Sequence, residues 1–234
     1  MVQEVSEQAV GRRRVQADPT PLSAIRKRGQ KVSNLWIFDS PKNDRRLTVS
    51  GDVPFMHLVL LEGDTTVVGY DLVDDPFNVS SVGDSGYVRV RLRDGGQHWL
   101  LIGRGGRTKP KQGKAEKLFI PEQLHEKAAA AGVQVFRRTE LELIGQEILF
   151  DNWLTLCAIM TRARACPAYL ETQLLLAALD RHESLRVCDV LGLGSADPAI
   201  MLAVVAKALQ SGIVQTDLSR RLFGMHSQLK RVRS

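Results

Sequence analysis

The chain has 234 residues, is 44% hydrophobic and carries a formal net charge of +6, which is long enough for one or two packed domains and basic enough to look for an anionic partner. No apolar run is long enough to span a bilayer, and the amino terminus is polar where an export signal would be apolar, so a cytoplasmic protein with no membrane partner is expected. Cys157, Cys166 and Cys188 are odd in number and show no Cys-x-x-Cys spacing. Neither a disulfide frame nor a zinc site is read from them.

The charge is segregated. Residues 11–31 hold seven cations against Asp18 alone, residues 101–117 hold six against Glu116, and residues 218–234 hold five cations and no acid. Cations gathered in a few segments are the electrostatic footprint of a protein that binds a phosphate backbone.

In chain order, residues 1–31 form a basic arm without apolar period and are expected to be disordered. Leu35 to Phe38 reads as a short strand, and Asp39-Ser40-Pro41 turns the chain into a second strand over Arg46 to Ser50. Val53 to Glu62 is apolar nearly all round, which periodicity alone leaves as buried helix or buried strand. Thr65 to Tyr70 is a strand, followed by a turn at Asp74-Asp75-Pro76-Phe77. Tyr87 to Arg93 alternates strictly and, with Asp94-Gly95-Gly96 and His98 to Ile102, reads as a hairpin with three arginines on its polar face. Pro121 to Ala131 is a helix closed by Gly132, and Val133 to Arg137 returns as a strand. Thr139 to Glu142 has capping-box spacing and leads into helical sequence through Ala165. After Pro167 come three short helices (Tyr169 to Arg181, Leu185 to Leu191, Ala199 to Gln210) and then a strand at Ile213 to Asp217, a winged-helix outline. Its third helix has Lys207 as sole cation and many apolar residues, so Met201, Val205 and Leu209 are candidate protein-docking positions in place of base-reading ones.

Several short motifs fall in a fixed order: Ser40-x-Lys42-Asn43-x-Arg45, Leu60-Leu61-Glu62, Val67-x-x-Tyr70 and Pro76-Phe77. In this the chain resembles the TnsA endonucleases of heteromeric transposons, most specifically from Ser40 to Tyr70. The resemblance implies a helix over Val53 to Glu62, with Pro54 in its first turn where the missing amide costs little. It implies an α/β, restriction-endonuclease-like domain over 32–150 with a mixed sheet flanked by helices, a connecting helix over 151–164 and a winged-helix domain over 165–234. The family's metal-binding glutamate falls here on Ser50, its aspartate on Val90 (after Arg89, where the family has proline), and its closing Glu/Gln-x-Lys on Ile102-Gly103-Arg104. With no carboxylate at these positions, no catalytic residue, metal or cofactor is assigned, and the arginines would attract phosphate where carboxylates would hold a cation.

The expected DNA contacts are Lys42, Arg45, Arg89, Arg91, Arg104, Arg107, Lys109, Lys111 and Lys114, the last five forming a basic lip beside the former cleft. The resemblance implies transposon-end DNA, a DDE-type transposase and an AAA+ ATPase regulator as partners, and a catalytically inactive architectural role. Two alternatives stand beside it. One is an active magnesium-dependent endonuclease with a rearranged site using Asp52, Glu62, Asp94 or Gln112-x-Lys114; the other is a winged-helix DNA-binding regulator, which needs a more polar third helix.

Overall fold

A computed structural model describes residues 34–73, 86–103, 120, 122–194 and 196–232. The expected arm, the Asp74 to Phe77 turn and the basic lip with Arg104, Arg107, Lys109, Lys111, Gln112 and Lys114 lie outside the described residues.

Strands β1 (Leu35–Ser40) and β2 (Arg45–Ser50) form an antiparallel hairpin, Leu35 opposite Ser50 and Ser40 opposite Arg45. Its turn includes Asp44 at φ 50°, a left-handed conformation that aspartate tolerates better than most residues. Helix α1 (Asp52–Gly63) follows, with Pro54 in its first turn. Its all-round apolar character has a simple cause. One side faces the hairpin and sheet and the other faces helix α3 (Glu147–Arg162), so Phe55, Leu58 and Val59 are all buried.

The main sheet runs β3 (Val67–Val73), β4 (Gly86–Leu92), β5 (Gln97–Ile102) and β6 (Gln134–Arg138), in that order. The first two pairings are antiparallel and β5–β6 is parallel, which makes the sheet mixed. The parallel pair requires a crossover, and helix α2 (Glu122–Ala130) lies within it. Alternation along β4 and β5 separates two apolar sets. Val88, Val90, Leu100 and Ile102 enter the main core, while Tyr87 and Leu101 pack with Leu124 of α2 on the other side.

The capping box at Thr139 forms, with Glu142 accepting from both the Thr139 amide and its hydroxyl. It caps only a 3-10 turn (Glu140–Leu143), not the long helix expected through Ala165. Gly145 at φ 79° breaks the path, and α3 starts at Glu147.

Beyond α3 come α4 (Tyr169–Arg181), β7 (Leu185–Arg186), α5 (Val187–Leu191), α6 (Pro198–Gln210), β8 (Val214–Gln215) and β9 (Gln228–Arg231). The three strands make an antiparallel sheet ordered β7-β9-β8. Asp197 caps α6 by accepting from the Ala199 and Ile200 amides, Pro198 opens it, and Gly212 at φ 77° follows its end, each residue at its favoured place.

One hydrophobic cluster reaches from Phe38 through Trp153 and Leu156 to Leu229, so the halves before and after α3 share a core. This overturns the docking assignment for α6. Met201, Val205 and Leu209 are at most 4% exposed, because α6 is packed by α4 and α5 within its own half and by α3 and α1 from the other. The sequence offered too many apolar faces for one small domain, and the surplus is covered from within the chain. Among the described residues no helix is long and apolar enough to cross a membrane.

Candidate nucleic-acid interface

The motif residues from Ser40 to Tyr70 converge on one carboxylate. Glu62, in the last turn of α1, is fully buried. Its Oε1 accepts from the Ser40 hydroxyl and, at 2.6 Å, from the Tyr70 hydroxyl; its Oε2 accepts from the Lys42 amide at 3.0 Å and from Gln210 Nε2 at 2.8 Å. Ser40 Oγ in turn accepts from Asn43 Nδ2 at 2.9 Å, and Asn43 Oδ1 accepts from the Tyr70 amide at 2.9 Å. Hairpin, helix, sheet and α6 are thus tied at one point.

Burial pushes the Glu62 carboxyl above its ordinary range, and its hydrogen bonds from Ser40, Tyr70 and the Lys42 amide oppose that shift. Burial and the neighbouring Glu62 raise the Tyr70 phenol, and burial also raises the Cys157 thiol. Both oxygens of Glu62 are engaged by donors from four residues, which suits a latch between elements and leaves nothing to offer a metal or substrate.

This geometry corrects Lys42 as a DNA contact. Its ammonium donates to Leu61 O at 2.8 Å and to Asp64 O at the end of α1, where a cation complements the helix dipole. Burial lowers its pKa to about 8. The group is turned inward as a helix cap.

Of the expected arginines that the structure describes, Arg89 and Arg91 lie on the sheet face away from the main core, and Arg45 reaches towards them from β2. Arg45 Nη2 donates to Asp71 Oδ1 at 2.9 Å, and Arg89, cross-strand from Asp71, approaches Asp71 Oδ2 at 3.9 Å. Arg91 lies over Gly69, where a Cβ would fall 2.5 Å from its Nη2; the glycine lets the guanidinium rest on β3. Arg91 is exposed and half of the Arg89 side chain is open to solvent. Trp99 sits opposite Arg89 on β5. Among the described residues, two guanidinium groups meet the Asp71 carboxylate and a third lies one ladder position away over Gly69, a cationic group suited to phosphate oxygens, with the Trp99 ring cross-strand from Arg89.

The positions where the resembled family has metal ligands do not share this face. Val90 and Ile102 are buried in the main core, on the opposite side of the sheet from Arg89 and Arg91. Ser50 ends β2 in the separate hairpin, half-buried. Arg89 and Arg91 therefore lie on the opposite side of the sheet from Val90 and Ile102, contrary to the expectation that they shared one site. Strict alternation in β4 carried this signal, since adjacent residues 89 and 90 must point to opposite sides.

The relocated candidates are held in local roles. Asp52 Oδ1 accepts from Asn34 Nδ2 at 2.8 Å and Trp36 Nε1 at 2.9 Å, and Asp94 Oδ1 accepts from the Gly96 amide at 2.8 Å within a turn that has Gly95 at φ 86°. Among the described residues, no three His, Cys, Asp or Glu side chains gather as a metal site. The winged-helix regulator alternative needs a polar third helix, and α6 has seven buried residues with Lys207 as its exposed cation.

Two contributors were missed by sequence reading. Asp71 orders the arginines, and buried Asn152 on α3 holds the loop between β8 and β9. Asn152 stands in register with Leu156 and Met160 on the buried stripe of its helix, and an amide in an apolar stripe signals backbone groups that need a partner. Comparison with known protein families, with curated proteins and with solved structures finds no match.

Proposed function

We propose that the protein is a DNA-binding, non-cleaving subunit of the TnsA-like kind, with an architectural role in a transposition complex alongside a DDE-type transposase and an AAA+ ATPase. The observation that carries the binding half is the cationic group of Arg45 and Arg89 at Asp71 with Arg91 over neighbouring Gly69. The non-cleaving half is supported by Val90 and Ile102, apolar side chains packed into the core where that family has metal-site residues.

The fold is compatible with this reading. A mixed sheet with α1 on one face and α2 on the other suits a restriction-endonuclease-like domain. The order α4, β7, α5, α6, β8, β9 with strands arranged β7-β9-β8 suits a winged helix whose third helix is turned inward. The convergence of Ser40, Lys42, Asn43, Glu62 and Tyr70 gives the family-like motif a physical reason: it is a latch that survives when the metal site does not.

Binding through arginines and phosphates has a measurable signature. Affinity for duplex DNA should fall steeply with salt. Arg89→Ala/Arg91→Ala should make the slope of log affinity on log salt shallower by about 1.8, which is about 0.9 for each phosphate that is no longer neutralised. Both side chains are exposed or half-exposed, so the variant should keep its melting temperature. An unchanged slope would remove the sheet face from the interface.

A further inference from the structure

We infer that the C-terminal half contacts nucleic-acid phosphates through the loop 216–227, with Arg220 and Arg221 as the contacting groups and Asn152 of α3 as the residue that positions them. The inference rests on the DNA-binding reading above and adds a second contact surface to it.

The loop joins β8 to β9 and is fixed from beneath. Asn152, 2% exposed, donates from Nδ2 to Leu218 O at 2.7 Å and to Arg221 O at 2.8 Å, and its Oδ1 accepts from the Phe223 amide at 2.7 Å. Both donors and the oxygen of one buried amide are thus spent on backbone within six consecutive residues. Leu218 is buried and Phe223 packs against the core on either side of the exposed stretch. What remains outside is Ser219 to Leu222, with both arginines exposed.

Neither arginine is neutralised among the described residues. The nearby acid, Asp217, accepts from Ser219 Oγ at 3.2 Å, and Lys230 on β9 adds a further exposed cation. An anchored loop loses less conformational freedom on binding than a mobile one, so cations held this way bind phosphate at lower entropic cost. Helix α6, the element that would read bases in a winged helix, has seven buried residues and Lys207 as its one cation, which is few donors for a groove-reading helix. The loop thus presents exposed cations that backbone phosphates, which are reached without entering a groove, can meet as its ligand.

The test uses the full chain and duplex DNA in a salt series. Arg220→Ala/Arg221→Ala should weaken binding about tenfold to a hundredfold near 0.1 M salt and make the salt slope shallower by about 1.8, with no change in melting temperature. Asn152→Ala should weaken binding when the arginines are present and add nothing in the Arg220→Ala/Arg221→Ala background; a purely structural role would not show that dependence. An unchanged slope for Arg220→Ala/Arg221→Ala, with Arg89→Ala/Arg91→Ala still effective, overturns the loop contact and leaves the DNA-binding reading standing. Failure of the wild-type chain to bind duplex DNA at any salt overturns both. A protein ligand in place of DNA would appear as the first of these outcomes.

Discussion

Glu62→Ala should cost on the order of 4 kcal/mol of folding stability. The change removes the acceptor for Ser40, Tyr70, the Lys42 amide and Gln210 together, and buried donors left without a partner keep their full desolvation penalty. Because these donors come from the hairpin, from β3 and from α6, thermal unfolding should remain one transition at a lower temperature. Glu62→Gln fills the same space and should cost about 2 kcal/mol, since its amide nitrogen must face donors on one side. The two variants also separate by pH. The folded carboxyl keeps its proton to higher pH than the ordinary value of 4.5, so this group adds stability that is complete below 4.5 and lost as pH rises through the folded value. Glutamine has nothing to lose there. The gap between wild type and Glu62→Gln should narrow from pH 4.5 towards neutrality in melting experiments, and a gap that widens would mean that the donors outweigh burial.

Gly63→Ala should be nearly as damaging, at about 3 kcal/mol, through overpacking. A methyl at Gly63 would lie 2.1 Å from Nε1 and 2.2 Å from Cε2 of Trp153, and that ring, 4% exposed, is wedged where α3 crosses the end of α1. A flexible chain end could move aside, whereas a buried indole cannot without displacing its neighbours. Backbone conformation is not the cause, since Gly63 ends α1 within its helical span. The cost should fall when measured in a Trp153→Leu background, because the smaller side chain vacates the volume; equal costs in both backgrounds would place the strain elsewhere.

Local signals made much of this fold legible. Alternation from Tyr87 to Ile102 marks the β4–β5 hairpin, and Asp197-Pro198 with Gly212 bounds α6, consequences of backbone chemistry within a few residues, whereas α1 reads as a helix only through the resemblance. What stayed hidden was set by partners distant in sequence. Lys42 reads as a surface cation until its ammonium is found on the carbonyls ending α1, and Met201, Val205 and Leu209 read as a spare apolar face until α1 and α3 close over it. Thr139 showed a correct capping box but could not disclose that Gly145 would end the turn. Of the candidate site, Arg45, Arg89 and Arg91 fall on strands β2 and β4 and near one another at Asp71 and Gly69, while Arg89 and Arg91 lie on the opposite side of the sheet from Val90.

Binding of DNA without cleavage, the function proposed above, is tested by a nicking assay run beside a binding assay. With magnesium or manganese present and the protein in excess over a labelled duplex, under salt conditions where the binding assay shows complexes, the strands should stay intact. Metal-dependent nicks that vanish in Asp52→Ala or Asp94→Ala would contradict the account, because they would mean that a carboxylate now engaged by Trp36 or by the Gly96 amide serves a rearranged active site.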